Sequence, residues 1–275
     1  PDWPQTHSIT QVSTSEYNGG AERVALSLFQ AYRQRGYTSR LCVGRKDSDD
    51  PDVSVLGNVK YRSAPARFLL ERSRHIRGVL GQVRGVSKMC TAIESLAQPG
   101  RWLRKQRGIE EFDFPASYDL VRAQSEEPTI IHLHNLHGGY FDLRALPWIS
   151  RHIPVVLTLH DAWPLSGHCA HSFDCDRWKV GCGDCPDLTI KPAVRRDATA
   201  YNWKRKSEIY ARSNIAVCTP SDWLMNRVGE SMLSGKECRV IPNGIDLAVF
   251  RPGDKEMARV ALGLPTDADV VLLGR

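Results

Sequence analysis

The chain has 275 residues, 41% hydrophobic and 25% charged, with a formal net charge of +6. That is enough apolar material to bury a full core in one large domain, or in one domain plus part of another, and it excludes a disordered or fibrous chain. No apolar run reaches the roughly 18 residues of a membrane span, no signal peptide is visible, and eight cysteines in so long a chain do not make a small secreted disulfide scaffold, so a cytoplasmic protein is expected.

Residues 8–13 (SITQVS) read as a first strand, 14–20 as a loop ending in Asn18-Gly19-Gly20, and 21–35 as a helix with Val24, Leu28, Ala31 and Tyr32 at helical spacing. Gly36 is a good terminator, and 38–43 (TSRLCV) reads as a second strand. A β-loop-α-β opening predicts parallel strands joined by a right-handed crossover. The Gly19-Gly20 pair allows a ligand close to the backbone, and the helix N-terminus beyond it offers free N–H groups to a phosphate or sugar oxygen. The bland alternative is a simple turn, since G-x-G-x-x-G is absent.

Between Lys60 and Arg107, twelve Lys/Arg stand against Glu71 and Glu94, a local charge of +10 that leaves the rest of the chain at −4. Leu69, Ile76, Val79, Leu80 and Val83 share a helical face, whereas Gly78, Gly81 and Gly85 weaken any helix there. The stretch is either a solvated helical excursion or a basic amphipathic patch that meets an anionic membrane at its inner face.

From Thr129 the α/β rhythm resumes: residues 130–134 (IIHLH) as a strand, 135–139 as its exit loop, 140–151 as a helix and 154–159 (PVVLTL) as a buried strand. His132 and His134 fall on one face; His134 and Asn135 lie nearest the carboxyl edge, and His132 reads as structural. His160-Asp161 follows the next strand at its carboxyl end, where open α/β sheets keep their ligands. His160 then bonds a substrate or, alternatively, fixes a loop by bonding backbone. Residues 193–212 read as a helix, 215–218 as a strand, Ser221 or Asp222 as the cap of a helix running into Arg227, and 238–241 as a last strand.

Directly after His160 come Cys169, Cys175, Cys182 and Cys185, spaced C-x5-C-x6-C-x2-C with His168 and His171 interleaved. Tetrahedral zinc takes four N/S ligands, and C-x2-C places two thiolates on one ion, so a structural zinc is expected, with His168 or His171 able to replace a thiol. Unmetallated thiols or two labile disulfides are the competing reading. Cys42 and Cys218, in apolar runs, read as small buried hydrophobes.

Three separated segments, NGGAER (18–23), TLHDAW (158–163) with TPSDWL (219–224), and VIPNGIDLAVFRP (240–252), together resemble the glycosyltransferase family 4 enzymes, which have the two-domain GT-B architecture. The cysteine-bearing loop looks like an exopolysaccharide and colanic-acid-type subgroup. The resemblance implies an α/β, Rossmann-like parallel sheet flanked by helices, the N-terminal half of a GT-B enzyme: residues 1–241 an acceptor-side domain, 242–275 the linker and first strand of a truncated donor domain.

It further implies a retaining transferase moving a sugar from a nucleotide-sugar to a saccharide or lipid-linked acceptor in surface polysaccharide synthesis, without a catalytic cofactor or nucleic acid. The fragment alone is expected to be inactive. His160 and Asp161 would be the catalytic-centre residues; Gly19, Gly20, His134, Asn135, Ser221, Asn243 and Arg275 would bind substrate and donor. Two other classes fit less well. A nucleotide-dependent oxidoreductase wants an acidic residue after strand two, where Gly44-Arg45-Lys46 stands. A zinc-containing nucleic-acid-binding module would explain the cysteines and the basic stretch, but these lie far apart in sequence.

Overall fold

The computed structural model describes residues 7–122 and 128–271, and the chain divides into two compact units, residues 1–242 and 243–275. In the first unit the elements run β1 (Ser8–Ser15), α1 (Gly20–Gln34), β2 (Thr38–Arg45), β3 (Val53–Val55), α2 (Ala64–Leu80), α3 (Val86–Ala97), α4 (Pro99–Gln106), the one-turn α5 (Asp119–Arg122) and β4 (Ile130–His134). They continue with α6 (Leu146–His152), β5 (Val155–Thr158), α7 (Thr199–Ala211), β6 (Ile215–Thr219), α8 (Asp222–Gly229) and β7 (Glu237–Val240). All seven strands pair in parallel, in the order β3-β2-β1-β4-β5-β6-β7. This is a Rossmann-like sheet flanked by helices. The chain builds outward from β1 to β3, then returns to lay β4 on the other side of β1. The order therefore reverses between β1 and β4, and a reversal leaves a crevice at the carboxyl ends of those two strands.

Alternation along the strands divides the core. Leu41, Val43 and Val53 pack with Ala25 and Phe29 of α1, while Val12, Cys42, Ile131, Leu133, Leu157 and Val217 belong to the larger cluster on α6, α7 and α8. The buried stripe of α1 is Ala21, Ala25 and Phe29; Val24, Leu28 and Tyr32 flank it half-buried. Small residues at positions 21 and 25 let this helix lie close on the sheet. Cys42 and Cys218 are buried, as their apolar runs require.

Three expectations about elements change, and one strand, β3, is unanticipated. The stretch 64–106 is three helices, because Gly78 is absorbed inside α2 and only Gly81 and Gly85, the latter at φ 94°, break the chain before α3. The helix expected over 140–151 begins later, as a 3-10 turn at Leu143–Ala145 capped by Asp142 and then α6 with Pro147 in its first turn. The helix expected from 193 begins at Thr199, where Asp197 accepts the backbone N–H and hydroxyl of that residue. The three-residue β3 is too short to carry a period-2 signal. In the second unit, α9 (Lys255–Leu262) is capped by Asp254 and ended by Gly263 at φ 65°. The strand expected over 270–275 falls largely outside the described residues.

One ion pair ties this fold together. Lys206 of α7 is fully buried, with Nζ 2.9 Å from Glu110 Oε2 and 3.0 Å from the carbonyls of both Trp163 and Ser166. The neighbouring α7 residues hold the same stretch: Asn202 Nδ2 donates to the Gly108 carbonyl and its Oδ1 accepts from Glu110 N–H, while Arg205 donates to the Glu110 carbonyl. Gly108 sits at φ 75° with Arg196 O only 1.9 Å from where a Cβ would stand, so no other residue fits. Lys206→Ala leaves Glu110 buried without its partner and is expected to cost about 3–5 kcal/mol of stability in urea unfolding of the chain; a loss below about 1 kcal/mol would contradict this role.

Candidate functional site

At the β1/β4 crevice the strands place a row of polar side chains. Gln11 of β1 and His132 of β4 are register partners, and His134 of β4 faces Thr158 of β5 in register. Because alternate residues share a face, the rings of His132 and His134 lie 4.1 Å apart. His134 is fully buried, bonding Gln11 Oε1 through Nε2 at 2.8 Å and His160 Nε2 through Nδ1 at 3.0 Å. An amide oxygen only accepts, so His134 donates from Nε2 and its Nδ1 accepts from His160 Nε2–H. In this neutral pair the lone pair of His160 stands on Nδ1, in a ring that is only part-buried. His132 Nε2 meets Thr158 Oγ1 at 2.7 Å, which satisfies it within the sheet.

The exit loop of β4 is pinned against β1. Thr14 Oγ1 donates to the Asn135 carbonyl at 3.0 Å, and Tyr140 hydroxyl to the same carbonyl at 3.0 Å. Asn135 takes φ 34°, and Gly138, at φ 103°, stands where a Cβ would meet Thr14 Cγ2 at 2.7 Å. This close approach brings in His137, which sequence reasoning passed over because nothing distinguishes one loop histidine from another. Its Nε2 lies 2.9 Å from Asp161 Oδ2, and its ring packs against Trp163 at 5.5 Å. Asp161 Oδ1 accepts from Trp163 N–H at 2.9 Å, so both carboxylate oxygens are engaged.

Beside this row a cleft of about 540 Å3 opens between α3, α4, residues 108–112, the β4 exit loop and residues 192–195. Its size suits a small-molecule substrate. Arg101, Lys105 and Arg195 bring cations to it, Glu94, Glu110 and Glu111 carboxylates, and Trp102 and Trp163 aromatic faces. Burial lowers the Arg101 pKa, with Glu111 opposing.

The other expected site residues fall as follows. Gly19 precedes α1 in extended backbone, and Gly20, its first residue, has open space where a Cβ would go. Ser221 lies at the same sheet edge after β6 and caps α8, accepting from Leu224 N–H at 3.4 Å. Gly20, Asn135, His160, Asp161 and Ser221 thus all follow carboxyl ends of parallel strands, His134 closes one of them, and His134, His160 and the Asn135 loop are bonded into one cluster. Asn243 belongs to the second unit and is exposed; Arg275 lies outside the described residues. The four cysteines stand in the loop before α7, and none is disulfide-bonded.

The histidine row has a predictable pH signature. Burial, reinforced by His160, pushes His132 down to about 4; burial, then His132 and His160, hold His134 well below its ordinary 6.5; burial also lowers His160, against Asp161. The unfolded chain therefore binds protons that the folded one refuses. The row's contribution to stability is fully present above about pH 6.5 and is lost as pH falls below it, for His132 by about 1.4 kcal/mol for each pH unit down to about 4. Urea unfolding at pH 7, 5.5 and 4.5 is expected to show this slope, and His132→Gln to flatten it. An unchanged slope in that variant would remove His132 from the linkage.

The sequence model of Glycosyltransferase Family 4 matches residues 18–249. The chain is 27% identical over 251 residues, 88% of its length and 55% of the relative's, to "Putative colanic acid biosynthesis glycosyl transferase WcaC" of Escherichia coli (strain K12). It is 62% identical over 170 residues to a D-inositol 3-phosphate glycosyltransferase of Mycobacterium avium (strain 104), 60% of this chain and 35% of that protein. It is 24% identical over 166 residues to the enzyme of that name from Mycobacterium tuberculosis (strain F11), 60% of this chain and 31% of that protein. The chain thus spans about half the length of the first relative and about a third of the mycobacterial ones. With a family match over most of its length and an all-parallel sheet whose histidine row opens at the strand-order reversal, this chain belongs to glycosyltransferase family 4.

Proposed function

We propose that this chain is the acceptor-side half of a GT-B enzyme that transfers a sugar, with retention, from a nucleotide-sugar to a saccharide or lipid-linked acceptor in surface polysaccharide synthesis. The observation that carries the reading is the partly exposed His160, oriented through His134 and Gln11, next to Asp161, which bonds His137 on the wall of a cleft of about 540 Å3. The names of the relatives, colanic acid biosynthesis and inositol phosphate glycosyl transfer, agree with a hydroxyl-rich acceptor.

Glycosyl transfer breaks a sugar–diphosphate bond through an oxocarbenium-like state, so a site must aim an acceptor hydroxyl at the anomeric carbon and neutralise the departing diphosphate. Neutral imidazoles suit the first task. His160 Nδ1, with its free lone pair, accepts a hydroxyl of the sugar or acceptor; Asp161, held by His137 and Trp163, fixes the turn that presents the ring. Gly19 and Gly20 let the donor approach the start of α1. Ser221, His134 and Asn135 complete the polar surroundings in the first unit; Asn243 is assigned to donor binding and Arg275 to the leaving diphosphate. Residues 1–241 serve the acceptor and 242–275 lead into the donor domain.

In the full-length enzyme, His160→Ala is expected to lower transfer by about 10²–10⁴-fold, the range for a positioned proton-transfer or hydrogen-bonding group, with little change in melting temperature. Gly20→Ala meets no atom within 4 Å, so any loss of transfer without loss of stability reports donor approach. Parallel loss of activity and stability in His160→Ala would make this histidine a purely structural one.

A lipid-linked acceptor is met at a membrane, and α2–α4 fit that contact. Phe68, Val79, Val83, Leu96 and Trp102 are exposed among the exposed cations Arg67, Arg72, Arg74, Arg84 and Lys88. Not every cation is free for it: Arg77 pairs with Glu94 at 2.7 Å and Arg104 with Glu111 at 3.0 Å. No helix among the described residues is long and apolar enough to cross a membrane. At about 1 kcal/mol per basic residue near an anionic surface, binding to anionic vesicles, release by high salt and indifference to neutral vesicles are expected. Arg74→Glu with Arg84→Glu should abolish it; unchanged sedimentation would assign the face to ordinary solvent.

A further inference from the structure

Between the 3-10 turn Trp163–Leu165 and α7, residues 167–198 contain no strand and no helix beyond one 3-10 turn, Arg177–Lys179. Structureless connections longer than about 12–15 residues are uncommon in compact domains. Few side chains of this loop are buried: His168, Ser172 and Trp178. Trp178 receives Trp203 Nε1–H on its carbonyl at 2.7 Å, and Arg227 of α8 bonds Ser172 Oγ at 2.6 Å, which docks the loop at one end. Apolar burial does not account for the rest of its path.

The four cysteines do converge. Cys169, Cys175, Cys182 and Cys185 all line one cavity of about 20 Å3, with His168 on its wall. A cavity of 10–15 Å3 is the least that holds one water, so this one holds a single small species. Cys182, Gly183 and Asp184 run consecutively at φ 55°, 95° and 44°, a tight left-handed turn that brings the two thiols of Cys182-x2-Cys185 to the same side. Two non-glycine residues in that region cost of order 1–3 kcal/mol each and persist only when their surroundings over-determine them. Gly167 N–H donates to Cys182 Sγ at 3.3 Å, the kind of bond that stabilises a thiolate. His168 Nδ1 donates to the Pro192 carbonyl at 3.0 Å, and Nε2 faces Cys185 Sγ at 3.4 Å. His171 is elsewhere, stacked on Trp223.

We infer that this loop is a structural zinc site in which the thiolates of Cys169, Cys175, Cys182 and Cys185 hold one ion, with His168 on the wall beside the Cys185 sulfur. Among the described residues no group of three His, Cys, Asp or Glu side chains is already closed to metal-binding distance. Binding therefore draws the sulfurs inward across a gap one water wide, by rotation of part-buried side chains, to about 2.3 Å from the ion. Four S–H bonds break, four Zn–S bonds form, and four protons pass to solvent with no change of oxidation state. All four positions are filled by protein, so the ion is a staple and not a Lewis acid for the reaction. The inference does not depend on sugar transfer, because its readout is metal content.

The test uses the full chain, carrying no histidine tag and purified without added metal. Elemental analysis is expected to find about one zinc per chain, and alkylation mapped by mass spectrometry to find these four thiols protected until a chelator is added. Zinc content should fall to near zero in Cys182→Ser and in Cys185→Ser. If those variants do not fold, stoichiometric release of zinc from the unaltered chain by a thiol-blocking mercurial reads the same ligands. Absence of metal with four freely alkylated thiols, or recovery of two disulfides, would overturn the site. Retention of zinc by Cys185→Ser, with its loss in His168→Ala, would overturn the four-thiolate set.

Discussion

A single buried ammonium organises the first unit. Lys206 has no exposed side-chain surface, and burial lowers its pKa, against the pull of Glu110. Its donors are spent on Glu110 and on the carbonyls of Trp163 and Ser166, and it lies 3.6 Å from the centroid of the Trp163 ring. A buried charge is tolerated only when its hydrogen bonds are satisfied. Lys206 and its partners thus join three distant segments: α7, the approach to β4 and the turn after β5. The pair therefore fixes the turn that carries His160 and Asp161 relative to the segment that walls the cleft. Trp163 Nε1–H, donating to Glu110 Oε1 at 2.6 Å, closes the same triangle.

The rest of the site follows from strand geometry. Period-two alternation puts His132 and His134 on one face, and the reversal of strand order puts β1 beside β4, so Gln11 stands against that face. Parallel pairing with β5 brings His160 just past Thr158, within reach of His134. Nothing more is needed to line up three polar side chains from three strands. Their burial then keeps the imidazoles neutral, and a neutral histidine next to another neutral histidine has a fixed proton order that begins at Gln11.

That much was legible in the sequence because it rests on local period and on the rule that parallel strands share a carboxyl edge. His160, His134 and Asn135 could be picked out by position alone. What escaped was long-range. Lys206 is the last of three consecutive cations, after exposed Lys204 and half-buried Arg205, so nothing in its spacing marks it as the buried one. Glu110 is one acid among several, and His137 carries no pattern at all. The three helices of 64–106 were obscured by glycines whose roles differ: one lies within a helix, two break the chain between helices, and only tertiary packing distinguishes them.

The chemistry of the row also sets its limit. In the proposed transfer, a departing diphosphate would carry negative charge, and imidazoles held neutral at pH 7 by burial cannot compensate it electrostatically. They can hold a hydroxyl by a lone pair, which requires neutrality. The same desolvation that fits the row to an acceptor or sugar hydroxyl thus disqualifies it from the leaving group. The cations lining the first unit's cleft, Arg101, Lys105 and Arg195, stand on its helical wall and in the residues before α7. Glu94, Glu110 and Glu111 line the same cleft, so its charges balance. Under the proposed transfer, charge for the diphosphate is then the task of groups outside this row, and the row itself is left to orientation.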